Sequence, residues 1–206
     1  MLNIGFFKYL NIFLKNIFII ICFLIFFFIS DFIYFHLTRE IFLNYGIDAN
    51  LFYLPHGVRT LGALSFGFNV LPGLLIAQTM SGYIYTCQSG QEIYQFIIVC
   101  DIEFSNHIKI IFGGLLTIAS VYISYFLLKL NRIKDFNKIT IFQILNFVFV
   151  SAIINALVIN IFFMSIFDKW ELSLNLALYT IGDIVGAMML FVIIKIVFKF
   201  YNLIRL

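Results

Sequence analysis

Four stretches of this chain, Asn16–His36, His107–Leu130, Ile139–Phe167 and Leu172–Phe198, each hold at least the roughly 20 mainly apolar residues that a helix needs to cross a hydrocarbon core. A water-soluble fold has no place to bury such runs. With 63% hydrophobic and only 11% charged residues, the chain lies far from the roughly 25% charged content of soluble domains. The runs specify an all-α, polytopic membrane bundle that forms one domain over residues 1–206, with no room for a soluble catalytic or output domain. Lys8 and Lys15 ahead of the apolar Ile17–Phe28 core imitate a signal peptide, but Ser30-Asp31-Phe32-Ile33 is not a small-residue cleavage site. An uncleaved first helix is expected, its Phe and Ile residues facing mainly lipid.

Between the first two runs the pattern changes. Leu51–Tyr85 is apolar but punctuated by Pro55, Gly57, Gly62, Gly67, Pro72, Gly73 and Gly82, so no long unbroken helix is comfortable there. Charge decides what this region does. Placing both termini and the Lys129–Lys138 loop on the cytoplasmic side gathers nine Lys and Arg residues there (Lys8, Lys15, Lys129, Arg132, Lys134, Lys138, Lys195, Lys199 and Arg205) with Asp135 as the one acid. Glu40, Asp48, Glu92, Asp101, Glu103, Asp168 and Glu171 then lie outside, and the Leu51–Tyr85 region must enter the membrane and return. Its turn, Phe66–Gly73 with Asn69, Pro72 and Gly73, carries no charge. Two arms of roughly 14 residues each reach about 20 Å, short of a core of about 30 Å. The expected architecture is four full spans plus a re-entrant or thin helical hairpin, about six membrane-embedded helices in all. Broken backbone at that depth must be sheltered by protein or by a water-filled cavity.

Stripes of small and polar residues on the long helices could supply that shelter: Gly113, Thr117, Ser120 and Ser124; Ser151, Ala152, Asn155, Ala156 and Asn160; Tyr179, Thr180, Gly182, Asp183, Gly186 and Ala187. Asp183, between Gly182 and Gly186, is the foremost candidate for function, because an acid near a bilayer midplane costs about 2.5–3.5 kcal/mol on insertion scales. It either binds a cation or proton, pairs with Arg59, or is a structural acid satisfied by Asn155, Asn160 or Thr180. Pro55-His56-Gly57-Val58-Arg59 places an imidazole and a permanent cation at the outer mouth of the hairpin, where they meet an anion or sit as surface residues.

Other chemistries find no support. His36, His56 and His107 share no helix face with another ligand, so neither metal nor cofactor is expected. Hydrolase motifs are missing, so the chain does not read as an enzyme. The net charge of +3 is a topology signal and not a nucleic-acid footprint. Three cysteines leave a Cys87–Cys100 bridge open, but an odd count favours buried or idle thiols.

Leu54-Pro55-His56-Gly57, Leu71-Pro72-Gly73 and Gly182-Asp183-Ile184-Val185-Gly186 resemble, in order and rough spacing, the Trp-Pro-x-x-Gly, Trp-Pro-Gly and Gly-Asp-x-x-Gly steps of the bacterial membrane-associated sensor (MASE, first type) domains, over about residues 48–196. Leu54 and Leu71 stand where that family tends to have tryptophan. The resemblance implies an inner-membrane sensor domain that passes a signal to a kinase or cyclic-dinucleotide output domain, here on a separate partner protein.

The expected function is a bacterial inner-membrane, sensor-like domain that binds a small ligand or a partner membrane protein in a cavity lined by the hairpin, Asn155 and Asp183, and relays it by helix repacking. A small solute-binding transport subunit and a membrane assembly scaffold are the alternatives.

Overall fold

The computed structural model describes residues 4–34, 52–88, 104–130, 139–166 and 172–204. All the elements in these segments are helical: α1 (Ile4–Ile33), α2 (Leu54–Phe66), a 3-10 turn (Gly67–Val70), α3 (Leu71–Gln88), α4 (Phe104–Leu127), α5 (Ile141–Ile166) and α6 (Leu172–Ile204). Five segments are long and apolar enough to cross a membrane, and Leu54–Cys87 is one of them by length and composition. That segment does not run straight. Arg59 and Gln78 lie 3.4 Å apart through their side chains, whereas 19 residues of straight helix would separate them by about 28 Å. The expected hairpin is therefore present within the second of these candidate spans, but its arms are unequal, with 13 residues in α2 and 18 in α3.

Three local features build the hairpin. Pro55 and Pro72 stand in the first turns of α2 and α3, where a backbone N–H has no intrahelical acceptor to lose. Gly67 takes φ 59°, ψ −137°, a conformation open in practice only to glycine. The polar groups freed at the turn find partners on neighbouring helices. From α1, Asn16 donates to the carbonyl of Asn69 (2.7 Å) and accepts from the N–H of Gly73 (2.6 Å). Tyr122 of α4 donates its hydroxyl to the carbonyl of Gly67 (2.8 Å), and Phe68 stacks on its ring. These are the contacts that a break in a membrane-embedded chain requires.

The arms touch each other little. α1 packs against both, its Ile19 side chain lying beside Gly62 of α2 and Gly73 of α3. Ile19, Phe23, Phe27 and Ser30 form the inward stripe of α1, at three- and four-residue spacing. Phe18, Ile21, Ile25, Phe28 and Phe32 point outward. The first helix thus has a lipid face, as expected, and also a core face that the sequence alone did not reveal.

α2 is enclosed. Ten of its 13 residues are buried, since α1, α4, α5 and α6 all pack against it. Its tightest neighbour is α6. Gly57 faces Ala187 and Leu190, and Gly186 faces the backbone of Tyr53 and Leu54. The N–H of Tyr53 donates to the carbonyl of Gly182 (3.2 Å). The spacing Gly182-x-x-x-Gly186 is thereby explained, because one glycine offers its carbonyl and the other leaves space for the incoming strand of backbone.

Cys87, at the end of α3 away from the turn, is disulfide-bonded, where the sequence favoured an idle thiol. Cys22 is a free thiol, and Cys100 lies outside the described residues. So do most of the loop charges used for topology, from Glu40 and Asp48 to Arg132 and Glu171.

A buried polar cluster as the candidate functional site

α2, α5 and α6 each bring polar side chains to one point. His56 and Arg59 come from α2, three residues apart and so on one face; Ser151 and Asn155 come from α5 at four-residue spacing; Asp183 comes from α6. All five are buried, His56, Arg59 and Ser151 completely.

Asp183 is the hub. Asn155 donates its amide to Oδ2 (2.6 Å), Oδ2 lies 3.3 Å from His56 Nδ1, and Oδ1 lies 3.6 Å from Arg59 Nη2. Arg59 Nη2 also reaches His56 Nδ1 at 3.0 Å, Nη1 reaches Gln78 of α3 at 3.4 Å, and the guanidinium lies 5.3 Å from the centroid of the Tyr53 ring. Ser120 of α4 borders the cluster, its hydroxyl bonded to the carbonyl of Thr117 (2.7 Å) and lying 3.4 Å from Asn155 Oδ1. The opposed charges of Arg59 and Asp183 make this burial affordable, since an isolated charge in such a site carries a large desolvation penalty.

Hydrogen-bond counting assigns the imidazole. Ser151 gives its hydroxyl hydrogen to the carbonyl of Val148 (3.0 Å), so at 3.0 Å from His56 Nε2 it accepts. Nε2 therefore carries a hydrogen. On a neutral ring Nδ1 then presents a lone pair, and Arg59 Nη2 donates to it. A metal ion is poorly suited here: His56 and Asp183 would be its ligands, and the Arg59 guanidinium already occupies their inner side.

The cluster lies deep and not at a mouth. Asp183 is eleven residues, about 16 Å, into α6, and Ser151 is ten residues, about 15 Å, into α5. Docking Tyr53 on Gly182 starts α2 well inside the bundle. The expectation of His56 and Arg59 at the outer boundary fails for this reason, and neither is a surface residue.

Of the candidate residues, Pro55, His56, Gly57, Arg59, Asn155, Gly182, Asp183 and Gly186 come together. Asn69, Pro72 and Gly73 form the hairpin turn, about 11 Å away along α2. Asn160 is also apart: five residues after Asn155, it is turned by about 140° around α5. It is buried, donates to the carbonyl of Ala156 (2.6 Å) and leaves Oδ1 without a partner. Thr180 turns to the carbonyl of Leu176. On α4 the seam takes Thr117, Ser120 and Ser124, but Gly114 rather than Gly113 meets α3. Tyr53, Gln78 and Asn16 escaped the sequence reading. An amide set among apolar helical residues was the available signal for the last two.

Protein-family models, curated proteins and solved structures were each compared with this chain, and no match was found in any of the three.

Proposed function

We propose that this chain is a sensor-like integral membrane domain in which the His56–Arg59–Asp183 cluster is the responsive element, and that it relays binding of a ligand or a partner membrane protein by repacking α2 against α6. The observation that carries the reading is the burial of an imidazole, a guanidinium and a carboxylate together at one helix junction. Ionisable groups at such depth are costly, and they bias helix packing through interactions that change with their partners. α2 is suited to transmit a change, because its N-terminal half is held by the cluster and the hairpin turn that follows it is held by Asn16 and Tyr122. The likeness of the proline and glycine steps to membrane-associated sensor domains supports the same reading. The lysine and arginine distribution supports a bacterial inner membrane with both termini cytoplasmic. A disulfide at Cys87, on the opposite side from the turn, agrees with an oxidising compartment there.

Nitroxide labels at exposed Ser65 of α2 and Met188 of α6 (Ser65→Cys and Met188→Cys in a Cys22→Ala background) test the reading by pulsed dipolar spectroscopy in nanodiscs. Two distance populations whose ratio changes with Asp183→Asn are expected. One distribution, identical in both proteins, would refute it. That outcome would favour an assembly scaffold, a reading to which the sealed and internally bonded cluster also lends itself.

A further inference from the structure

We infer that the position between His56 Nδ1 and Asp183 Oδ2 is a proton-binding site, so that the ligand sensed by the bundle is the proton itself. The inference rests on the sensor reading above and supplies its ligand. His56 and Arg59 are fully buried and Asp183 is 2% exposed, which leaves a solute of any volume no place beside them, whereas a proton adds none.

The hydrogen-bond pattern points to the position. Because His56 Nε2–H is committed to Ser151, a neutral ring has one lone pair, on Nδ1, which accepts from Arg59 Nη2 at 3.0 Å while the Oδ2 oxygen lies 3.3 Å away. A hydrogen on Nδ1 would exchange the bond received from Arg59 for a charge-assisted bond donated to Oδ2. One proton taken up from bulk water changes the cluster from net zero (Arg59 positive, Asp183 negative, His56 neutral) to net +1. No covalent bond between heavy atoms forms or breaks.

The occupied position changes what Arg59 can do. Nη2 now donates to Nδ1 at 3.0 Å. Once Nδ1 holds a hydrogen, that contact opposes two donors, and the guanidinium must turn towards Asp183 Oδ1 or Gln78 Oε1, at 3.6 and 3.4 Å. A proton would therefore shift Arg59 between Asp183 of α6 and Gln78 of α3.

The surroundings set the charge balance. α2 contributes His56 and Arg59, α6 contributes Asp183, and the Tyr53 phenol ring lies against the guanidinium. α3, α4 and α5 face the cluster with Gln78, Ser120, Ser151 and Asn155, none of which ionises here. From α1, Ser30 binds the carbonyl of Phe52, and the other buried acid, Asp31, makes no ion pair with the cluster.

Ring-nitrogen NMR of the ¹⁵N-histidine-labelled full chain in phosphatidylethanolamine/phosphatidylglycerol nanodiscs, from pH 8.5 to 4.5, tests the inference, with His56→Gln to assign the signal. The expected result is an Nε2–H tautomer at high pH that gains Nδ1–H in a single step. Asp183→Asn should displace that step by at least tenfold in proton concentration. An Nδ1 that stays bare throughout, or a step indifferent to Asp183→Asn, overturns the inference. Where Asp183→Asn does not fold, infrared difference spectra of the wild-type chain labelled with ¹³C-aspartate decide: an aspartate carboxyl band that changes in the same step supports the shared proton, and an unchanged band overturns it. Two spin-label populations without a proton step would remove the proton and leave the sensor reading standing.

Discussion

Gly186→Ala is the most severe small change the fold offers. A Cβ at this position would lie 2.3 Å from both the carbonyl carbon and the oxygen of Tyr53, and 2.7 Å from the N of Leu54. Ordinary carbon contacts begin near 3.5 Å, so α2 and α6 must separate by about 1 Å, and no side-chain rotation can spare them because the obstructing atoms are backbone. The movement has a second cost. The Tyr53 N–H to Gly182 carbonyl bond, at 3.2 Å, would stretch beyond hydrogen-bond range, and the Arg59–Asp183 contact would lengthen with it. Overpacking costs about 1–3 kcal/mol and the lost interhelical bond about 0.6–1.7 kcal/mol, so the loss should be roughly 2–5 kcal/mol.

Unfolding in mixed micelles, followed by circular dichroism, measures it against a graded set. Gly113→Ala, with open space around its added Cβ, should be neutral. Gly62→Ala, which meets the flexible tip of Ile19 at 3.0 Å, should fall between them. If Gly186→Ala unfolds at the same denaturant level as Gly113→Ala, then the docking of Tyr53 on Gly182 and Gly186 is wrong, and with it the depth of the polar cluster.

Two further measurements examine the hydrogen-bonded parts of the fold. Arg59→Met leaves Asp183 buried without its cation and should cost about 3–5 kcal/mol in the same assay, while adding Asp183→Asn should restore part of it; additive losses in this double-mutant cycle would show that the pair does not interact. Asn16→Leu strips the hairpin turn of its bonds at the Asn69 carbonyl and the Gly73 N–H, so a loss of about 1–3 kcal/mol and faster amide exchange at Gly73 are expected; unchanged exchange there would contradict the clamp.

The helical architecture was legible because apolar run length is a direct physical requirement of the bilayer, and the hairpin because proline and glycine fall where a helix must break. Asp183 and Asn155 were legible for a related reason: a polar residue within an apolar run must find a partner. The identity of that partner was less accessible. Asn155 and Asn160 look equivalent as two amides on one apolar helix, and only the helical angle between them decides that one meets the acid while the other does not. Gly113 and Gly114 differ likewise by one residue, about 100° of rotation, and only the second touches α3.

Depth was the least legible quantity, and the reason is general to broken membrane helices. The position of a residue along an unbroken span follows from counting at 1.5 Å per residue from the boundary, and this works for Asp183 on α6. Counting from the edge of the apolar stretch put His56 and Arg59 near the surface, because it assumed that α2 begins at that surface. What fixes the start of α2 is the Tyr53 N–H bound to Gly182, ten residues into α6. This docking has the same cause as the closeness of the charges: Gly186 lets the two backbones approach closely enough for Arg59 and Asp183 to lie 3.6 Å apart. The glycines that looked like packing residues and the acid that looked like a functional one are therefore parts of a single arrangement, in which close backbone contact makes the buried charges tolerable.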